Sequence, residues 1–356
     1  MTVARRAFDI RGTIECGWNL FHRKGFSTDP ADIAVNHDFL DHLAAAGLNW
    51  LVVFWTNGDG FRDAWHEAAK YAHAKGIRLA RAIYGFSGGG PEHRMAEPDV
   101  PAHLLMPSSW GTDTALCPHD EETREWMAGI LADRLEPELD GIDIEPAREI
   151  GRHCICGQCS ALGPHEWDVM VVNFLTERIH EIRPDAEVML HIKMDPDRGG
   201  KRRMAETFRG ITEQVRHIFA WGADEETSLV DWLDAAPRFE HFAKLGRALL
   251  FPEVGADHPV ETRVARTFSW CRTAAGRGKT GYMFDYRIFG GRERKGHEQA
   301  DPYTRRGVQL PASIALMGAA MQDPYLDEAG QRGLIARWRE ETDWDLEDEG
   351  RFYGEA

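Results

Sequence analysis

Apolar positions along the chain follow two alternating patterns. Short β-rich runs, continuous or with period two, mark strands. Longer runs at helical spacing mark helices. The strand-like segments are residues 10–15, 50–55, 77–84, 139–145, 187–194, 215–221, 248–254 and 281–288. Helical runs are expected at residues 30–46, 62–75, 121–135, 165–182, 203–212, 230–245 and 259–275. Two further helices, 303–321 and 327–341, precede an acidic tail. Gly47 and Gly76 close the first two helical runs, as a helix terminator should. A long loop with Gly88, Gly89, Gly90 and Pro91 follows the third strand, and loops of this length inside a compact domain are usually functional.

Eight strands that each feed a helix predict an α/β fold, a single (β/α)8 TIM barrel with extra C-terminal helices. No linker-like composition divides the chain. One barrel domain is expected over residues 1–356, with 322–356 as its C-terminal helix and acidic tail. A doubly wound sheet is the rival. It lacks support, since no Gly-x-Gly-x-x-Gly follows the first strand and no phosphate-binding loop is present. No organic cofactor is expected.

Composition narrows the partners. The 356 residues suffice for one large barrel, and 58 acidic against 42 basic residues give a formal charge of −16. That balance argues against nucleic acid or an anionic membrane as partner, because no basic excess can neutralise phosphates. No apolar run reaches the length of a membrane span. The first nine residues lack the apolar stretch of a secretory signal, so a cytoplasmic protein is expected. The apolar helix 311–320 reads as core, and oligomeric state stays open.

TIM-barrel chemistry sits at the C-terminal ends of the strands. The predicted ends carry Glu15, Asn57 after Trp55, Tyr84, Asp143 and Glu145, His191 and Lys193, Trp221, Glu253 and Asp285. Alternation puts Asp143 and Glu145 on one strand face, with Ile142 and Ile144 on the other. His191 and Lys193 likewise share a face. Glu145 and Glu253 are the expected catalytic pair, because glycoside hydrolysis needs two carboxyls across the scissile bond. Each could instead cap a helix or pair with an arginine. His191 could equally be a satisfied core histidine, and Asp143 could raise the pKa of Glu145 as a second acid on its face. Trp18, Trp55, Trp110 and Trp221, at strand ends or in loops, suit stacking on the apolar face of a sugar ring, although large aromatics also fill loop cores.

Cys117-Pro118 before the helix at 121, with Asp140-Gly141-Ile142-Asp143-Ile144-Glu145 on the fourth strand, resembles the barrel of glycoside hydrolase-like families. The run Cys154-Ile155-Cys156-Gly157-Gln158-Cys159 is similar to a Cys-x-Cys-x-x-Cys of their poorly characterised members. The resemblance is close over residues 115–160 and architectural elsewhere. It implies a carbohydrate substrate. Acids at strands four and seven, here Glu145 and Glu253, are the arrangement of a large retaining clan. That clan places Asn before its strand-four Glu, where this chain has Ile144, and chitinase-like strands carry a Glu where Ala147 stands.

Three cysteines in six residues form a poor disulfide framework and a good set of metal ligands. A structural Zn²⁺ is expected on Cys154, Cys156 and Cys159, with Cys117 or His165 as the fourth ligand. The alternative is three reduced thiols without metal.

Three functions follow. The first is a glycoside hydrolase with Glu145 as acid/base and Glu253 as nucleophile or base. Glu15, Trp18, Trp55, Asn57, Tyr84, Asp143, His191, Lys193, Trp221 and Asp285 would then bind substrate. The second is a divalent-metal-dependent sugar isomerase, epimerase or aldolase. The third is a carbohydrate-binding barrel without catalysis.

Overall fold

The computed structural model describes residues 7–15, 30–53, 61–86, 100–108, 113–135, 138–146, 153–163, 165–193, 200–221, 226–237, 239, 241–247, 259–286 and 309–342. Its barrel strands are β1 (Ile10–Glu15), β2 (Trp50–Val53), β3 (Arg78–Gly85), β4 (Gly141–Pro146), β5 (Glu187–Lys193), β6 (Val215–Trp221), β7 (His241–Arg247) and β8 (Gly281–Tyr286). The helices are α1 (Pro30–Ala45), α2 (Phe61–Ala74), α3 (Glu121–Arg134), α4 (Gly157–Ala161), α5 (Glu166–Ile182), α6 (Gly200–Gly210), α7 (Glu226–Ala235), α8 (Val260–Ala275), α9 (Gln309–Gln322) and α10 (Glu328–Glu341). Parallel pairing runs β1-β8-β7 and, separately, β3-β4-β5-β6, and the fold is a (β/α)8 barrel with α9 and α10 added at the C-terminal end. The chain divides into two compact units. One is Met1–Leu51, Gly60–Arg78 and His241–Ala356, and the other is Val52–Asp59 and Leu79–Glu240.

In the first unit, β8 pairs in parallel with β1 and with β7. Helices α1 and α2 end by the same device. Gly47 (φ 74°) and Gly76 (φ 77°) adopt the left-handed conformation that an L side chain resists. Each donates its N–H to the carbonyl three residues back, and the next residue donates five back: Gly47 to Ala44, Leu48 to Leu43, Gly76 to His73 and Ile77 to Ala72. The chain thereby turns directly into β2 and β3. The core of this unit includes Phe8, Phe39, Trp270 and Tyr282. The Arg78 guanidinium lies 4.2 Å from the Trp50 ring centre, a cation–π contact.

Helix α9 approaches α1 closely at a glycine. A Cβ at Gly318 would run into the carbonyl oxygen of Ala46. Backbone cannot swing aside as a side chain can. Gly318→Ala gains about 1 kcal/mol of helix propensity, but overpacking costs about 1–3 kcal/mol. A lowered denaturation midpoint is therefore expected, and an unchanged or raised midpoint would contradict this packing.

In the second unit, β3, β4, β5 and β6 are joined by parallel pairings. Trp167, Val171, Leu175 and Ile179 on α5 are fully buried.

One expected element is corrected. The run 230–245 is not a single helix: α7 stops at Ala235, and His241–Arg247 is β7. Pro237 is the cause, since it has no N–H to donate and disfavours helix at Ala236. The seventh strand was expected at 248–254, a segment outside the described residues, and it is the preceding residues that pair with β8. Residues 303–308, expected to open α9, and the acidic tail after Thr342 also lie outside the described residues.

Candidate functional site

Every residue of β4 is buried. The helix-facing side of this strand is set by Gly85 on neighbouring β3. A Cβ there would lie 2.7 Å from Leu175 Cδ1, 3.0 Å from Val171 Cγ1 and 3.6 Å from Ile144 Cγ2. Ile144 and Gly85 thus face α5. Alternation turns Asp143 and Glu145 to the opposite face, the barrel interior. Glu145 sits at the C-terminal end of β4, where barrel chemistry is placed.

His191 of β5 joins both acids. Its Nδ1 lies 3.2 Å from Asp143 Oδ2 and 3.9 Å from Glu145 Oε2. The three side chains are 2%, 0% and 5% exposed for His191, Asp143 and Glu145. Two acids and one imidazole withdrawn from water must share protons, because two bare carboxylates side by side would repel. Burial pushes the Asp143 carboxyl well above the ordinary carboxylate range. Its Oδ1 has no hydrogen-bond partner among the described residues.

A pH prediction follows. The folded pKa of Asp143 is raised, so the native state holds a proton that the unfolded chain has lost once pH exceeds about 4. Stability contributed by that proton is present below the unfolded pKa and is lost as pH rises towards the folded one. Asp143→Asn removes this linkage. Its stability relative to wild type is expected to improve from about pH 4 to pH 7, read by chemical denaturation across that range. Parallel stability curves would contradict the assignment.

The other expected residues fall into three groups. In the second unit, register pairs Tyr84 with Glu145 and Lys193 with Trp221. In the first unit, register pairs Glu15 with Tyr286, and Asp285 with both Ile14 and Arg247. Trp18, Trp55, Asn57, Trp110 and Glu253 lie outside the described residues. Arg247 was not anticipated, because the seventh strand was expected further along the chain. A half-buried pair was also missed. His217 Nε2 lies 2.7 Å from Glu187 Oε2, but Glu187 is the first residue of β5, at the end of the strand opposite to the one that carries chemistry. This pair gives the buried His217 imidazole a partner.

The cysteines converge from two segments of the second unit. Cys117 precedes α3, whose N-cap Asp120 accepts the Thr123 N–H. Cys154, Cys156 and Cys159 follow β4 and flank the start of α4. One sulfur from each of the four lies within 4.8 Å of all the others. Cys117 Sγ is 3.7 Å from Cys156 Sγ and 3.9 Å from Cys159 Sγ. Four thiolates around one tetrahedral ion at about 2.3 Å would stand about 3.8 Å apart. The cluster therefore has the spacing to hold a metal ion. His165, the other candidate fourth ligand, is not in this group and instead occupies the N-cap position of α5. A hydrogen bond from Cys159 lowers Cys154 to about 5, the same bond raises Cys159, and burial pushes Cys117 up to about 11. Among the described residues no other group of three or more His, Cys, Asp and Glu is as compact, and Asp143, Glu145 and His191 do not form one.

No family model matches the chain, and no curated protein matches it. Solved structures do match. An inactive mutant of the GH20 exo-β-N-acetylglucosaminidase of Vibrio harveyi aligns with TM-score 0.56 at 12% identity, over 94% of this chain and 58% of that one. The chain thus spans less than two thirds of that protein. Amy13B of Eubacterium rectale aligns with TM-score 0.55 at 9% identity, over 90% of this chain and 80% of that one. A GH5-4 broad-specificity endoglucanase from an uncultured bacterium aligns with TM-score 0.51 at 8% identity, over 88% and 94%. At such identities the likeness shows the fold alone, a (β/α)8 TIM barrel.

Proposed function

We propose that the chain is a glycoside hydrolase with Glu145 as its general acid/base. One observation carries the reading: Glu145 lies buried at the C-terminal end of β4, beside a histidine that also binds a protonated-leaning acid. A carboxyl that must give a proton to a leaving oxygen and take one from water needs such surroundings. His191 holds Asp143 and orients the site, and Asp143 keeps a proton within reach of the imidazole. Tyr84, Lys193 and Trp221 sit at neighbouring strand ends by register, which supports substrate-binding roles for them. Glu15, Trp18, Trp55, Asn57 and Asp285 are proposed to bind sugar on their sequence positions alone. Glu253 is proposed on the same ground as the second carboxyl.

The four-cysteine cluster is proposed to hold a structural zinc ion, since a closed set of four thiolates leaves no open position for chemistry. Zinc-bound thiolates suit a reducing compartment, in keeping with the proposed cytoplasmic location. Among the described residues no helix is long and apolar enough to cross a membrane.

The test is hydrolysis of a panel of alkyl glycosides and short oligosaccharides by wild type, Glu145→Gln and Glu253→Gln. Turnover lost in both variants with folding intact supports the reading. Full activity in both would overturn it. Activity abolished by chelator while the fold persists would favour a metal-dependent isomerase or aldolase instead.

A further inference from the structure

The four cysteines sit where two excursions of the chain meet. The first runs from Phe86, at the end of β3, to the start of α3 at Glu121. Its two ends are tied together, since Leu116 donates its N–H to the Phe86 carbonyl at 3.2 Å. Phe86 itself holds φ 60°, which is uncommon for a bulky residue, and its buried ring packs edge-on to Phe174. The excursion carries a small antiparallel ribbon, Met106–Pro107 against Asp113–Ala115. The second excursion leaves β4 after Pro146 and returns at α5.

Among the described residues, few backbone bonds join the two. Ser108 forms an isolated bridge with Cys154, and Ile155 donates its N–H to Pro107 at 3.2 Å. The sulfur cluster is a further contact between them, one ligand from the first excursion and three from the second. The two-strand ribbon is too short to be stable by itself. Among the described residues of the two excursions, the buried side chains include Leu104, Ser108, Ala115, Leu116, Cys117, Cys154 and Cys159.

We infer that a single zinc ion on Cys117, Cys154, Cys156 and Cys159 clasps the excursion after β3 to the excursion after β4. The ion orders both as one unit. The sulfur spacing fits one ion, because an iron–sulfur cluster would set its thiolates further apart around several metal centres. The coordination energy acts locally, since three ligands fall within one short segment and the fourth joins a different one. This inference is independent of the reaction proposed above.

The test uses the full chain and reads no activity. Zinc per chain is measured in protein expressed with zinc, for wild type, Cys117→Ser and Cys271→Ser. Cys271 is a buried thiol on α8, outside the cluster, and serves as the control. Cobalt is then exchanged into the site and its absorption recorded. Amide hydrogen exchange is compared between zinc-loaded and chelator-stripped wild type. One zinc is expected in wild type and Cys271→Ser, and little in Cys117→Ser. Cobalt should show thiolate charge transfer and the intense bands of a tetrahedral site. Stripping should raise exchange at 100–117 and 153–163 by about tenfold or more, with β4, β5 and α5 still protected. Substoichiometric zinc, iron in its place, full zinc in Cys117→Ser, unchanged exchange in both segments, or exchange rising throughout the barrel would each overturn the clasp.

Discussion

Glu145→Gln is expected to slow glycoside hydrolysis by about 10²- to 10⁴-fold while the barrel stays folded. Gln keeps the shape of the side chain and its capacity to hydrogen-bond, but it cannot deliver a proton. Loss of rate without loss of stability therefore isolates the acid/base function. A structural role gives the reverse result. If Glu145 only satisfied His191, an amide oxygen could accept in its place. Rate would then change little, and any effect would appear in the denaturation midpoint. Substrate affinity is expected to change less than kcat, because proton transfer is felt in the transition state rather than in the bound ground state.

His191→Ala carries the largest expected effect on stability. The imidazole stands between two acids that are 0% and 5% exposed. Removing it leaves Asp143 without its one hydrogen bond among the described residues and opens a cavity beside Glu145. Breaking a buried pair from one side costs about 3–5 kcal/mol. Protonation of Asp143, which burial already favours, relieves part of this, so about 3 kcal/mol is the expected loss at neutral pH. The loss should shrink in acid, where Asp143 is neutral without help. His191→Gln, which retains a donor, should recover part of it. Urea denaturation at pH 5 and pH 7 measures both effects. A cost below about 0.5 kcal/mol, the range of a surface change, would remove His191 from the site.

Much of this arrangement was legible in the sequence. Alternation along Asp140-Gly141-Ile142-Asp143-Ile144-Glu145 was sufficient to place both acids on one face. The structure adds the reason for the direction: α5 presses on Gly85 and Ile144 from the other side. Glycine stops at Gly47 and Gly76 marked the first two helix ends, because a left-handed terminator needs little tertiary context. The ligand set of the cysteine cluster was legible only in part. Spacing along the chain points to Cys154, Cys156 and Cys159, but choosing Cys117 over His165 requires knowing which loops lie together. The seventh strand failed for a different reason. Residues 230–245 keep enough apolar positions to suggest one helix, and the weight of Pro237 was missed. Pairing with β8, a contact remote in sequence, makes His241–Arg247 a strand. That error also concealed Arg247, opposite Asp285. The pairing of His191 with both acids could not be read from spacing, since it depends on the register of β5 against β4.

The most direct test of Glu145 as general acid compares two glycosides of one sugar, with a 2,4-dinitrophenol and an alkyl alcohol as leaving groups. The kcat/KM of wild type and Glu145→Gln is measured on each. A weakly basic phenolate departs without a proton, so the variant should lose little on the aryl substrate and about 10²- to 10⁴-fold on the alkyl one. Equal losses on both substrates, or none on either, would contradict the assignment of Glu145 as the general acid.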